Sequence, residues 1–214
     1  IGIGTSLASM VITGAMAVYA HTKNNNIDYV IIKIFAPGVI LGSIIIGLII
    51  QFVPGEYLRF FFIIYTFFIA FKLYKHPLSN KKPLIPSSFK ANIIGFSFAI
   101  ISGLLGIGGA TLFVPYLIKN NIPSKLAIGT SSAFGFLIGF AATIAMYLNS
   151  SFNNDINLSM LGYIYLPAII FLTFPSLVFV KLSAGWLMRV SDQKVKKWFA
   201  LLLLLIGISM CLNH

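Results

Sequence analysis

The chain has 214 residues, of which 58% are hydrophobic and 9% charged, with a mean hydropathy of +0.96. Soluble domains carry about 25% charged residues, so this composition excludes an ordinary soluble protein and points to an integral membrane protein. The net charge of +11 does not indicate nucleic acid, because the lysines lie in short loops beside apolar runs, where they mark orientation. Only one cysteine, Cys211, is present, which excludes an intrachain disulfide and a cysteine metal cluster.

Seven apolar segments follow in chain order: Ile1–Ala20, Tyr29–Val53, Tyr57–Leu73, Ala91–Ile118, Leu126–Leu148, Leu158–Val180 and Val195–Leu212. The runs are continuous rather than alternating, so they read as helices and not as a β-barrel. Pro37 and Pro167 fall within spans and are expected to kink them. Lys33 is expected to snorkel, Tyr57, Trp186 and Trp198 to anchor at the interface, and His21, His76 and His214 to lie at span ends or in loops.

The fourth segment is 28 residues long and holds glycines at its middle, in Gly103–Pro115, GLLGIGGATLFVP. Lysine and arginine counts decide how it runs. If it crosses the membrane, 8 of the 15 basic residues lie outside and no bias remains. If it enters and returns on one side, 14 lie in the cytoplasm and only Arg59 outside. The second arrangement is expected: a re-entrant hairpin whose short return helix covers Ala110–Lys119.

The chain also repeats. Ile3-Gly4-Thr5-Ser6 recurs as Ile128-Gly129-Thr130-Ser131, and Gly14 recurs as Gly139, all at an offset of 125. Ala36-Pro37 is paired with Leu166-Pro167 at an offset of 130. The expected fold is therefore all-α, a polytopic helical membrane protein with inverted repeats. It has about six full spans plus the glycine-broken hairpin. Residues 1–75 form the first repeat, 76–89 a cytoplasmic linker and 90–214 the second repeat. Lys90 precedes Gly129 by 39 residues, whereas three residues precede Gly4. By that comparison, a first-repeat hairpin of about 36 residues is expected ahead of this stretch.

The chemistry follows from the break. A half-helix starting near the bilayer middle points orphan N–H groups and roughly +0.5 charge into the interior. Gly106, Gly108 and Gly109 permit a tight turn and close approach, and Thr111 offers a hydroxyl. Such an end takes an anion without a charged side chain. Asp28, Glu56, Asp155 and Asp192 all lie outside the apolar segments, so no carboxylate there favours a cation. Thr5, Ser6, Thr130, Ser131 and Ser132 sit early in their spans and either line the same cavity or bond their own helices. Gly38 with Gly42, and Gly135 with Gly139, have the GxxxG spacing of helix packing.

The glycine turn, Pro115 and the following Ala127-Ile128-Gly129-Thr130-Ser131 resemble the second-half pattern of the sulfite exporter TauE/SafE family, and Ile3-Gly4-Thr5-Ser6 its first-half counterpart. The resemblance implies a multi-pass transporter of the bacterial inner membrane moving sulfite, sulfonates or related organic anions. It carries Gly106, Gly108, Gly109, Pro115, Gly129, Thr130 and Ser131 over as site elements. Ala110 stands where the family often has another glycine. The expected partners are a small anion and the lipid bilayer, with no nucleic acid, cofactor or metal, and homo-oligomerisation is open. An anion channel and a non-transporting assembly partner are the alternatives. An intramembrane enzyme fits poorly, because no span pairs a nucleophile with a mid-span histidine.

Overall fold

The computed structural model describes residues 2–52, 60, 63–71, 83–106, 108–150, 160–161, 164–187 and 189–212. Its elements are α1 (Gly2–Lys23), α2 (Tyr29–Ile49), α3 (63–71), α4 (Ser88–Leu105), α5 (Ala110–Lys119), α6 (Ser124–Ser150), α7 (Leu166–Leu187) and α8 (Asp192–Leu212). A 3-10 turn, Ile50–Phe52, closes α2, and a two-stranded ribbon, β1 (Met160–Leu161) with β2 (Ile164–Tyr165), precedes α7. Most of the expected third span, Arg59 and most of the 76–89 linker lie outside the described residues.

Six of these helices are long and apolar enough to cross a bilayer: α1, α2, α4, α6, α7 and α8. The outward faces are apolar, with Phe171 80% and Phe174 73% exposed, as befits surfaces that meet lipid tails instead of water. The protein is an all-α, multi-pass membrane protein. Its core is a ring of aromatic contacts joining four helices. Phe35 of α2 meets Phe113 of α5 at 6.0 Å and Phe134 of α6 at 5.7 Å. Phe113 in turn meets Phe134 at 4.3 Å and Phe98 of α4 at 5.2 Å.

The hairpin is present. The Leu84 N–H, ahead of α4, donates to the Asn120 carbonyl, just past α5, at 2.9 Å. Both arms therefore start and finish at the same end of the molecule. That end also holds the α1–α2 turn, since the Asp28 N–H donates to Thr130 Oγ1 on the second turn of α6. The α7–α8 turn joins it through the Lys125 N–H donated to Asp192 Oδ1. Lys23, Lys90, Lys119, Lys125, Arg189 and Lys194 gather there. The 18 residues of α4 span about 27 Å and the 10 of α5 about 15 Å. The arms are thus unequal: α4 is long enough to cross by itself, and α5 returns only part of the way.

Helices α1 and α6 run antiparallel and make the same contact twice with roles exchanged. A Cβ on Gly14 would lie 3.0 Å from Phe136 Cα, and one on Gly139 would lie 3.2 Å from the Val11 nitrogen and 2.9 Å from the Leu7 carbonyl. Residues 11 and 14 are related to 136 and 139 by the offset of 125. Pro167 lies in the first turn of α7, where its missing N–H costs nothing and does not kink the span. The proline inside α7 is Pro175, as Pro37 is the one inside α2.

Candidate functional site

The break begins at Gly106, which caps α4 with φ of +62° and donates its N–H to the Gly103 carbonyl at 3.1 Å. This left-handed conformation is disfavoured for any residue with a Cβ. The Gly106 carbonyl accepts from the Ser6 hydroxyl on α1 at 2.6 Å. The far tip of the long arm is therefore fixed to the first turns of α1. From there the chain descends through Gly108 and Gly109 to the start of α5.

Helix α5 begins at Ala110, with Gly109 as its cap and no side-chain capping bond. The Leu112 and Phe113 N–H groups make the first bonds of the ladder, both to the Gly109 carbonyl. The N–H groups ahead of them precede the ladder and carry the positive end of the helix dipole. A Cβ on Gly109 would lie 3.2 Å from the Gly135 nitrogen on α6. Gly135 is eleven residues into α6, about 17 Å from its start, so the α5 N-terminus lies near the middle of the molecule. Beside Gly108 the nearest atom to an added Cβ would be Met10 Sδ at 3.2 Å. Thr111 is buried, and its hydroxyl donates to the Gly108 carbonyl at 3.3 Å, which braces the turn.

Pro115 has a specific consequence. Lacking an N–H, it leaves the Thr111 carbonyl without its helical donor. That carbonyl accepts from the Tyr65 hydroxyl of α3 at 3.3 Å. The proline thus ties the broken helix to α3.

The Gly-Thr-Ser residues divide. Gly129 serves packing: an added Cβ would fall on the Asn26 carbonyl of the α1–α2 turn. Thr130 accepts the Asp28 N–H at 3.0 Å at the start of α2, and Thr5 accepts the Tyr165 N–H at 2.9 Å at the start of α7. Each threonine thus holds the entrance of the other half's second helix, one at each end of the molecule. Thr130 lies five residues, about 8 Å, along α6 from the break, so Gly129 and Thr130 frame the site and do not touch it. Ser132 donates to the Gly129 carbonyl of its own helix at 2.6 Å. Ser131 is fully buried, and its hydroxyl has no hydrogen-bond partner. His21, expected at the interface, is buried at 7% exposure, and its Nδ1 is unpartnered. Among the described residues, no three His, Cys, Asp or Glu side chains form a group able to hold a metal.

Sequence reasoning missed the Tyr65, Met10 and Pro175 contributions. A proline four residues after a threonine did signal a freed carbonyl, but nothing local named its donor.

A helix broken inside a polytopic bundle, with its two arms returning to one face, is the architecture of a membrane transport protein. The comparisons agree. Residues 1–210 match the family described as Sulfite exporter TauE/SafE. A "Probable membrane transporter protein" of Haemophilus influenzae is 33% identical over 214 residues, covering 99% of this chain and 80% of that protein. A probable membrane transporter protein of Methanocaldococcus jannaschii is 23% identical over 98% of this chain and 78% of its own length. One of Bacillus subtilis is 25% identical over 72% of this chain and 63% of its own length. No solved structure matches. The chain belongs to the sulfite exporter TauE/SafE family.

Proposed function

We propose that this protein is a non-enzymatic secondary transporter of the bacterial inner membrane that moves a small anion, sulfite or a sulfonate, by alternating access. The observation that carries the reading is the α5 N-terminus, placed inside the molecule by the break at Gly106–Gly109 and packed against Gly135. First-turn N–H groups at such an end bind an anionic oxygen with no charged side chain and favour negative charge through the dipole. Gly108 and Gly109 keep side chains away from it, and Thr111 braces the turn. Gly129, Thr5, Thr130 and Ser6 act on the site by holding the helices that bound it. The basic end faces the cytoplasm. The family description supports sulfite as the first substrate to try.

The test is uptake into vesicles of radiolabelled sulfite, a sulfonate and, as a comparison, a carboxylate. Saturable flux of sulfite or sulfonate, accelerated by unlabelled substrate on the far side, is expected of a carrier. Gly108→Leu should abolish that flux while the protein still inserts and elutes as a single species. Wild-type flux in a well-folded Gly108→Leu variant would sink the site assignment. Conductance without counterflow would replace the carrier with a channel.

A further inference from the structure

The glycines of this fold are of two kinds. An added Cβ at Gly38, Gly42 or Gly129 would fall on the carbonyl of Asn92, Phe96 or Asn26, so these glycines let main chains touch. Gly108 and Gly135 differ. Among the described residues, a Cβ at Gly108 would have only Met10 Sδ within 4 Å, at 3.2 Å, and one at Gly135 only the Gly109 nitrogen, at 3.6 Å. Contact between main chains therefore does not require glycine at either position, and both face unfilled space beside the break. Gly108, Ala110 and Met10 are each half-buried, so part of their surface stays accessible.

The residues that flank this space stand at equivalent places in the two halves. Met10 of α1 and Gly135 of α6 are 125 positions apart, as are Gly14 and Gly139. Met10 reaches the break at Gly108, and Gly135 reaches it at Gly109. The space therefore lies at the interface of the halves, where transporters built from repeats bind substrate. One half presents bare main chain to it and the other a methionine. The Met10 Cβ is 3.1 Å from the place of a Cβ on Gly139, so the base of the side chain is fixed and only its thioether end stands at the break. That end is apolar, soft and adaptable, and it suits an alkyl group better than a charge. The neighbouring walls are apolar as well. Ile3 Cγ2 lies 3.3 Å from the Cβ place of Gly106, and Ile138 Cδ1 lies 3.2 Å from that of Gly109.

We infer that Met10 is a specificity-determining residue. Its thioether stands in the space beside Gly108 and limits the organic group of the transported anion to a short alkyl chain, so that small sulfonates pass and aryl sulfonates do not. This rests on the reading of the α5 N-terminus as the anion-binding end: the sulfonate oxygens face the N–H groups, and the substituent faces Met10. Replacing Met10 by alanine keeps the Cβ that packs on Gly139 and removes Cγ, Sδ and Cε. The contact between α1 and α6 is then preserved while the space for the substituent grows.

The test compares fluxes of sulfite, methanesulfonate, butanesulfonate and toluenesulfonate through the complete polypeptide in vesicles. Wild type should carry the first two and discriminate against the larger pair. Met10→Ala should raise the ratio of butanesulfonate to methanesulfonate flux by about tenfold or more, the worth of a methylene in an apolar pocket. The ratio is the informative quantity, because a change in folding or expression scales all four fluxes together. An unchanged ratio in Met10→Ala, with absolute flux kept or uniformly lowered, would give Met10 a packing role and overturn the proposal. So would a Met10→Ala protein that carries none of the four, since lifting a size limit does not stop the smallest anion. A wild type that passes toluenesulfonate as fast as methanesulfonate would also overturn it. Absence of saturable flux of all four in wild type would instead remove the transport reading on which the role of Met10 rests.

Discussion

At the residue scale, backbone geometry at the break decides which side chains are tolerated. Gly106 sits at φ of +62°, and a residue with a Cβ in that conformation costs about 1–2 kcal/mol. Gly106→Ala should therefore lower the melting temperature of the purified protein by about 2–8 °C, measured by tryptophan fluorescence in detergent. Gly129 is restricted differently. Its backbone is not strained, but an added Cβ would fall on the Asn26 carbonyl, a main-chain atom that no rotamer change can remove. Gly129→Ala should cost about 1–3 kcal/mol, the range for overpacking, without altering substrate preference. A preserved melting temperature in Gly129→Ala would mean that the α1–α2 turn can move aside freely. Among the hydroxyls, position in the sequence motif did not predict role. Thr130, Ser131 and Ser132 are consecutive, yet one accepts from another helix, one is unpartnered and one bonds its own helix.

At the scale of elements, the hairpin was legible from charge and length alone. The lysine bias required the 28-residue run to return to its starting side, and the Leu84–Asn120 bond places its two ends together. The return helix, Ala110–Lys119, has the bounds expected from the glycines and the lysine that flank it. The length of the outgoing arm was not legible, because an apolar run carries no mark of where in the bilayer it turns. That is set by Ser6, which fixes Gly106 at the far end. The topology is directly testable. With Cys211→Ala as background, cysteines at Leu84 and Lys119, both exposed, should react with a membrane-impermeant maleimide from the cytoplasmic side only. Reaction of the two from opposite sides would rule out the hairpin in the membrane.

For the whole molecule, the exchanged bonds of Thr5 and Thr130 matter most. They join the halves at opposite ends, each through the N–H of the residue just ahead of a long helix. Under the alternating-access proposal, weakening one should favour opening at that end. A bond worth about 1 kcal/mol shifts a two-state ratio about fivefold. Thr130→Val should raise cytoplasmic-side labelling of a cysteine at Met10, beside the break, by about that factor. Thr5→Val should raise labelling from the opposite side. Equal effects of both variants on both sides would separate these bonds from gating and leave them a purely structural role.

The sequence by itself determined the class of molecule, the broken helix and its direction of return. Those properties depend on transfer of side chains into lipid and on charge beside each span, which are local and additive. Only the tertiary structure decided what each polar group bonds: Tyr65 with the carbonyl freed by Pro115, Ser6 with Gly106, and the exchange of threonines between halves. It also showed that Pro175, not Pro167, is the proline inside α7. These are long-range pairings between residues 46 to 160 positions apart. They are fixed by how helices pack, and no spacing within a single helix encodes them.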